Sequence, residues 1–141
     1  MVVDASIVVK WFLEEPYSGE ALELRDDYIR GRLSIAVPSL LFYEVLNAVK
    51  HSGVYSEEEV EEVGRAIDKY GFDLYELRGK YKLEAVKVAV EEDVTVYDAS
   101  YVALAKHLKT VFYTADEELV RKFPGIALHI KDYGRHVRAR G

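Results

Sequence analysis

The sequence predicts an α/β fold, a mostly parallel central sheet flanked by helices on both faces, on three observations. Short apolar runs of strand length alternate with longer stretches of helical period. The boundaries between them carry cap and turn residues, with no internal repeat, low-complexity segment or long linker. Finally, 141 residues, half of them hydrophobic, suit one domain over 1–141 with a substantial core.

Taken in order, Val2–Val3 reads as a short strand, followed by a brief helix through Val8, Trp11 and Phe12 that Pro16 ends. Ala21, Leu24 and Tyr28 mark a helix at i, i+3 and i+7. Ser34–Val37 is strand-like, and Pro38 stands where a helix can begin, running from Ser39 to about His51 before Gly53. Ser56 and Glu59 have capping-box spacing and open a helix carrying Val60, Val63, Ile67 and Tyr70. Phe72–Tyr75 is a strand, expected at the sheet's centre, and Leu83, Val86 and Val90 mark the next helix. A further helix spans about Tyr97 to Leu108, with Val94–Tyr97 undecided as a strand before it. Thr110–Tyr113 is a β-branched and aromatic strand. Thr114 and Glu117 repeat the capping-box spacing, with Thr114 as N-cap of a short helix to Phe123, and Ile126–Ile130 closes as a strand.

Composition narrows the function classes. There is no cysteine, so neither a disulfide framework nor a thiolate zinc site is available. No run is long enough to cross a bilayer and no leader pattern opens the chain, so the expected location is cytoplasmic. No glutamine and one asparagine, Asn47, fit a heat-loving source. A net charge of −6 opposes nucleic-acid binding on average. A metal site built of carboxylates adds negative charge that cations cancel, however, and the tail runs the other way with Lys131, Arg135, Arg138 and Arg140. Those four, with His136 among them, are candidates for contact with RNA or a partner, against the plain reading of a solvated terminus.

In folds of this class the useful edge is where strands end. Asp4 follows the first strand amid apolar residues, where a lone carboxylate is costly unless something positive meets it or it caps the following helix. Ser6 adds a second oxygen there. Asp98 heads an apolar stripe with Tyr101, Val102, Ala105 and Leu108, which favours a metal ligand over a simple helix-start acid. Glu44 sits at the border of an apolar face, with Asn47 and His51 on the same line. Asp116 falls in the first turn after the strand Thr110–Tyr113, where acids are common without function. The histidines show no ligand spacing and are expected at the surface, and no Gly-rich phosphate loop occurs.

Together, VVDASIVVKW, PSLLFYEVLNAV, VTVYDASYVALA and VFYTADEEL resemble the four motifs of the PIN-domain family, closest to VapC-like toxins, over nearly the whole chain. Val54 to Tyr81 carries none of this signal. The resemblance implies that Asp4, Glu44, Asp98 and Asp116 are the catalytic acids, that Mg²⁺ or Mn²⁺ is the cofactor, and that RNA is cut. It also implies a homodimer and a small antitoxin that blocks the site. Asp4, Asp98 and Asp116 are then the metal ligands, with Ser6, Thr114 and Asn47 in support; Glu44 ligands directly, acts through water or orients the attacking water. An oxygen donor set suits Mg²⁺, which lowers the pKa of its water, positions the phosphodiester and offsets charge on the leaving oxygen. Water rather than the ribose 2′-hydroxyl is the expected nucleophile, since no histidine pair serves the other route.

Two rivals remain at this point. A receiver-like signalling module also clusters acids around Mg²⁺, but it needs a phosphoryl-accepting Asp at the end of a central strand. Phe72–Tyr75 lacks one, Asp73 lying inside it. A degenerate PIN domain used only for binding would be expected to have lost some of the four acids.

Overall fold

The structure is a computed structural model that describes residues 1–134; Arg135, His136, Arg138 and Arg140 of the basic tail lie outside the described residues. The chain runs β1 (Val2–Val3), α1 (Ala5–Val9), α2 (Ser18–Ile29), β2 (Ala36–Pro38), α3 (Leu40–His51), α4 (Glu57–Lys69) and β3 (Asp73–Tyr75). It continues with α5 (Gly79–Glu92), α6 (Val96–Leu108), β4 (Phe112–Thr114), α7 (Glu117–Lys122), β5 (Ala127–His129) and a 3₁₀ turn at Ile130–Asp132. The strands form one parallel five-stranded sheet in the order β3-β2-β1-β4-β5. The α/β class expected from the sequence is the one found.

Local signals explain most boundaries. The box at Ser56 and Glu59 is fully formed, each side chain meeting the other's backbone N–H. Val94–Tyr97 is not a strand: Thr95 is the N-cap of α6, its hydroxyl accepting from Asp98 N. Helix α7 is capped by Asp116 instead of Thr114, which ends β4 with no exposure at all. An Asp side chain reached two free N–H groups there, so the threonine was released inward.

β3 is an edge strand rather than a central one, and its Asp73 and Leu74 are exposed. The centre is β1, whose Val2 and Val3 are wholly buried. An Asp does stand at the end of the central strand: it is Asp4. The argument against a receiver-like module drawn from Phe72–Tyr75 therefore does not hold, and that rival falls to the family assignment below.

In helix α5 the apolar residues that mark the helix are not the ones it buries. It lies along α6 and buries Tyr81, Ala85, Val88 and Ala89, whereas Leu83, Val86 and Val90 are 68%, 47% and 77% exposed. The periodic stripe is real, but it faces away from the core. Among the described residues no helix is long and apolar enough to cross a membrane.

Candidate active site

From β1 the chain steps through β2 to β3 on one side and returns through β4 to β5 on the other. The switch point therefore lies between β1 and β4, where a doubly wound sheet opens a crevice at its carboxyl edge. Asp4 leaves β1 there, and Thr114, Ala115 and Asp116 leave β4.

Asp4 caps α1 and is 9% exposed. Its Oδ1 accepts from Ser6 N at 3.1 Å and from the Ser6 hydroxyl at 2.5 Å, and its Oδ2 accepts from the Thr114 hydroxyl at 2.6 Å. Each hydroxyl, having donated its only proton, accepts from the backbone of the β4–α7 loop: Ser6 from Ala115 N and Thr114 from Asp116 N, both at 3.0 Å. One buried carboxylate thus ties two sheet-edge segments more than a hundred residues apart. A carboxylate has about four lone-pair sites, and these three bonds leave one on Oδ2 for a further group.

The other acids stand in a row from this point. Glu44, on the second turn of α3, accepts from the Tyr101 hydroxyl at 2.5 Å. Asp98 lies in the first turn of α6 and is half-buried; Asp116 is exposed, its Oδ1 holding Glu118 N and Leu119 N. Burial pushes Asp4 up to about 6, against the pull of Ser6 and Thr114 and with help from the charge of Glu44. Burial likewise raises Glu44, the Tyr101 bond opposing it and Asp98 adding to it. Asp98 is raised by burial and then by Asp116, with Glu118 behind. Each acid feels the next, and among the described residues no cationic side chain is an influence on these three.

An all-oxygen donor set under mutual repulsion fits a hard divalent cation. Among the described residues no three acids converge on one ready-made metal position.

Not every candidate joins the row. Asn47 is exposed and lines a separate hollow between α3 and α4 with Tyr43, Leu46 and Tyr55. Lys131 lines a hollow beside α7 with Arg121 and His129. Three contributors escaped the sequence reading. Tyr101 looked like one more apolar position on α6, yet its ring is buried against Phe112 while its hydroxyl serves Glu44. Glu118 was legible only as part of the acid run after Asp116. His129 is buried rather than at the surface, because β5 ends inside the edge; its Nδ1 accepts from Lys131 N and its ring bonds the Ala115 backbone. Burial and then Lys131 hold its pKa down, so it serves the β4–α7 loop as a neutral ring.

A parallel sheet with carboxylates gathered at its switch point defines a class of acid-centred α/β proteins, and comparison places this chain within it. The PIN domain pattern matches residues 1–123, and the chain belongs to the PIN domain family. It is 29% identical over 131 residues to Ribonuclease VapC3 of Pyrobaculum aerophilum, covering 89% of this chain and 96% of that protein. It is 31% identical over 100 residues to Exonuclease VapC9 of the same organism, covering 71% and 75%. The crystal structure of PAE2754 from Pyrobaculum aerophilum superposes with a TM-score of 0.70 at 26% identity, covering 98% of this chain and 88% of the other. A toxin–antitoxin complex from Klebsiella pneumoniae shares the fold with a TM-score of 0.66 at 17% identity, covering 92% and 96%.

Proposed function

We propose that the chain, as one domain over 1–141, is a metal-dependent endoribonuclease and the toxin of a toxin–antitoxin pair. The observation that carries this reading is the row Asp4, Glu44, Asp98 and Asp116 at the switch point, the first three raised by burial and by neighbouring acids, with no cation among the described residues influencing them. The similarity to Ribonuclease VapC3 supports RNA as substrate, and the shared fold with a protein of a toxin–antitoxin complex is consistent with a small antitoxin partner.

Asp4, Asp98 and Asp116 would hold Mg²⁺ or Mn²⁺, which when bound supplies Lewis acidity to the phosphodiester and its attacking water. Asp4 is aimed by Ser6 and Thr114 and keeps one acceptor site that they leave unused. Glu44, oriented by Tyr101, would accept a proton from the attacking water. The outward stripe Leu83, Val86 and Val90 on α5 supports a homodimer, because contiguous exposed apolar residues mark contact surfaces. Lys131 with Arg135, Arg138 and Arg140 remains a candidate phosphate contact; deleting 135–141 should then flatten the salt dependence of RNA binding by roughly 0.7 per contact.

A circular single-stranded RNA tests the reading, because only an endonuclease can open it. Linear product bearing a 5′-phosphate, absent in chelator and restored by Mg²⁺ or Mn²⁺, is the expected result. Opening in chelator would overturn the metal dependence. A 2′,3′-cyclic phosphate would mean that the ribose attacks, and digestion of linear RNA alone would mean exonuclease action.

A further inference from the structure

Beside the acid row lies a small aromatic-walled cavity of about 160 Å³. Its walls include Ser39, Leu40, Tyr75, Leu77, Tyr81 and Tyr97. Two of these fix its place relative to the acids. Tyr97 immediately precedes Asp98 in the first turn of α6, and Leu40 stands one turn before Glu44 on the same face of α3. The cavity and the acids therefore share the carboxyl edge of the sheet.

The floor and rim differ in chemistry. On the floor, buried Tyr81 donates its hydroxyl to Ser100 O, and the Ser100 hydroxyl donates to Tyr97 O, so the polar atoms are satisfied and ring surface is left. At the rim, Tyr97 and Leu77 are 63% and 39% exposed. The hydroxyls of Tyr75 and Tyr97 bond no other described residue, and Ser39, although it begins α3, caps nothing with its side chain. Among the described residues no charged side chain lines the cavity.

Ring faces below and free hydroxyls above suit a flat, neutral, aromatic group whose edge carries hydrogen-bonding atoms. A phosphate would require positive charge, and a purely apolar side chain would leave the rim hydroxyls unused. Pockets for larger ligands run to roughly 300–1,000 Å³, so this one takes a single ring system. We propose that the cavity binds one unpaired nucleobase of the RNA, next to the bond held at the acids, with Tyr97 as its stacking residue. This deepens the ribonuclease reading and rests on it for the identity of the strand. Single-stranded RNA is commonly read in this way, bases splayed onto aromatic side chains.

The test is binding of a short single-stranded RNA in chelator, with an abasic nucleotide walked along it, for the native chain, Tyr97→Ala and Tyr97→Phe. Tyr97 is exposed, so its removal takes little from the core, and thermal melts check the fold. The native chain should lose about ten-fold in affinity when one particular base is missing, as loss of one stacked base does. Tyr97→Ala should bind intact RNA about ten-fold more weakly and be indifferent to that abasic position, while Tyr97→Phe keeps most of the affinity. Equal binding by Tyr97→Ala and the native chain, losses that multiply independently, or no measurable binding by the native chain would overturn the proposal. So would a fall in solution mass of Tyr97→Ala with unchanged RNA affinity, which would make this face a contact between copies. Cleavage by Tyr97→Ala at native rate and site would remove the pocket and leave the nuclease. Base-sensitive binding without any cleavage would keep the pocket and remove the nuclease.

Discussion

Asp4 and Asp116 are both helix N-caps at the same sheet edge, yet they are built in opposite ways. Asp4 is enclosed, with two hydroxyls and a backbone N–H donating to it, and through those hydroxyls it fixes the loop after β4. Asp116 is exposed, and its side chain bonds the first turn of α7. Asp98, half-buried, stands between them. The lesson is that the inner acid belongs to the fold as well as to the site, whereas the outer acids can be altered with much less structural consequence.

The largest expected effect comes from removing charge without removing shape. Asp98→Asn and Asp4→Asn should each lower RNA cleavage by more than about 100-fold, since even groups that merely orient ligands cost 10–100-fold. Asp98→Asn should leave the metal-free melting temperature unchanged or raised, because a repelled carboxylate is gone. A marked fall in stability would show that Asp98 holds the fold, contrary to the contrast drawn here.

The pH dependence of stability sharpens the same contrast. Asp4 goes from 3.8 when unfolded to about 6 when folded, so between these values the folded state holds the extra proton. Metal-free stability should therefore fall as pH rises from about 4 to about 6, by up to about 3 kcal/mol from this group, and then level off. Glu44 and Asp98 act in the same direction. Denaturant melts across that range should show a flatter profile for Asp4→Asn; an unchanged slope would mean that Asp4 is not the group responsible.

Thr114→Val removes one donor from the enclosed carboxylate. It should cost about 1.5–3 kcal/mol of stability, as loss of a hydrogen bond to a buried charge does, and lower cleavage about 10–100-fold. Loss of activity with full stability would place Thr114 outside the Asp4 network. The smallest effects belong to the rim. Asp116→Ala should cost about 0.5–2 kcal/mol as a lost cap, while Asp116→Asn keeps the cap and loses only the charge. Equal destabilisation by the two would mean that charge rather than capping matters there.

Much of this was readable in the chain because each level of signal agreed. The apolar runs gave the strands, Ser56 with Glu59 gave a helix start, and acids placed just after strands gave the edge. What escaped depended on tertiary neighbours. Periodicity reveals a stripe but not which side is covered: Leu83, Val86 and Val90 mark the helix yet face outward, whereas the smaller Ala85 and Ala89 let α5 lie close along α6. Strand order is equally invisible to local pattern, which is why β3 was expected at the centre. Thr114 and Tyr101 carry apolar and polar atoms together, and only the fold decides which end does the work. His129 looked solitary because its partner, the Ala115 backbone, has no sequence signature.

The central claim is that the carboxylate row is held under charge repulsion that a divalent cation relieves. Thermal melts at pH 7 with and without Mn²⁺ or Mg²⁺, on the native chain and on Asp98→Asn, test it without reference to catalysis. Binding to the folded state alone raises stability by RT ln(1 + [L]/Kd), about 2.7 kcal/mol at a hundred times Kd. The native chain should therefore gain stability with metal and Asp98→Asn should gain far less. No gain in the native chain, or the same gain in both, would contradict the account.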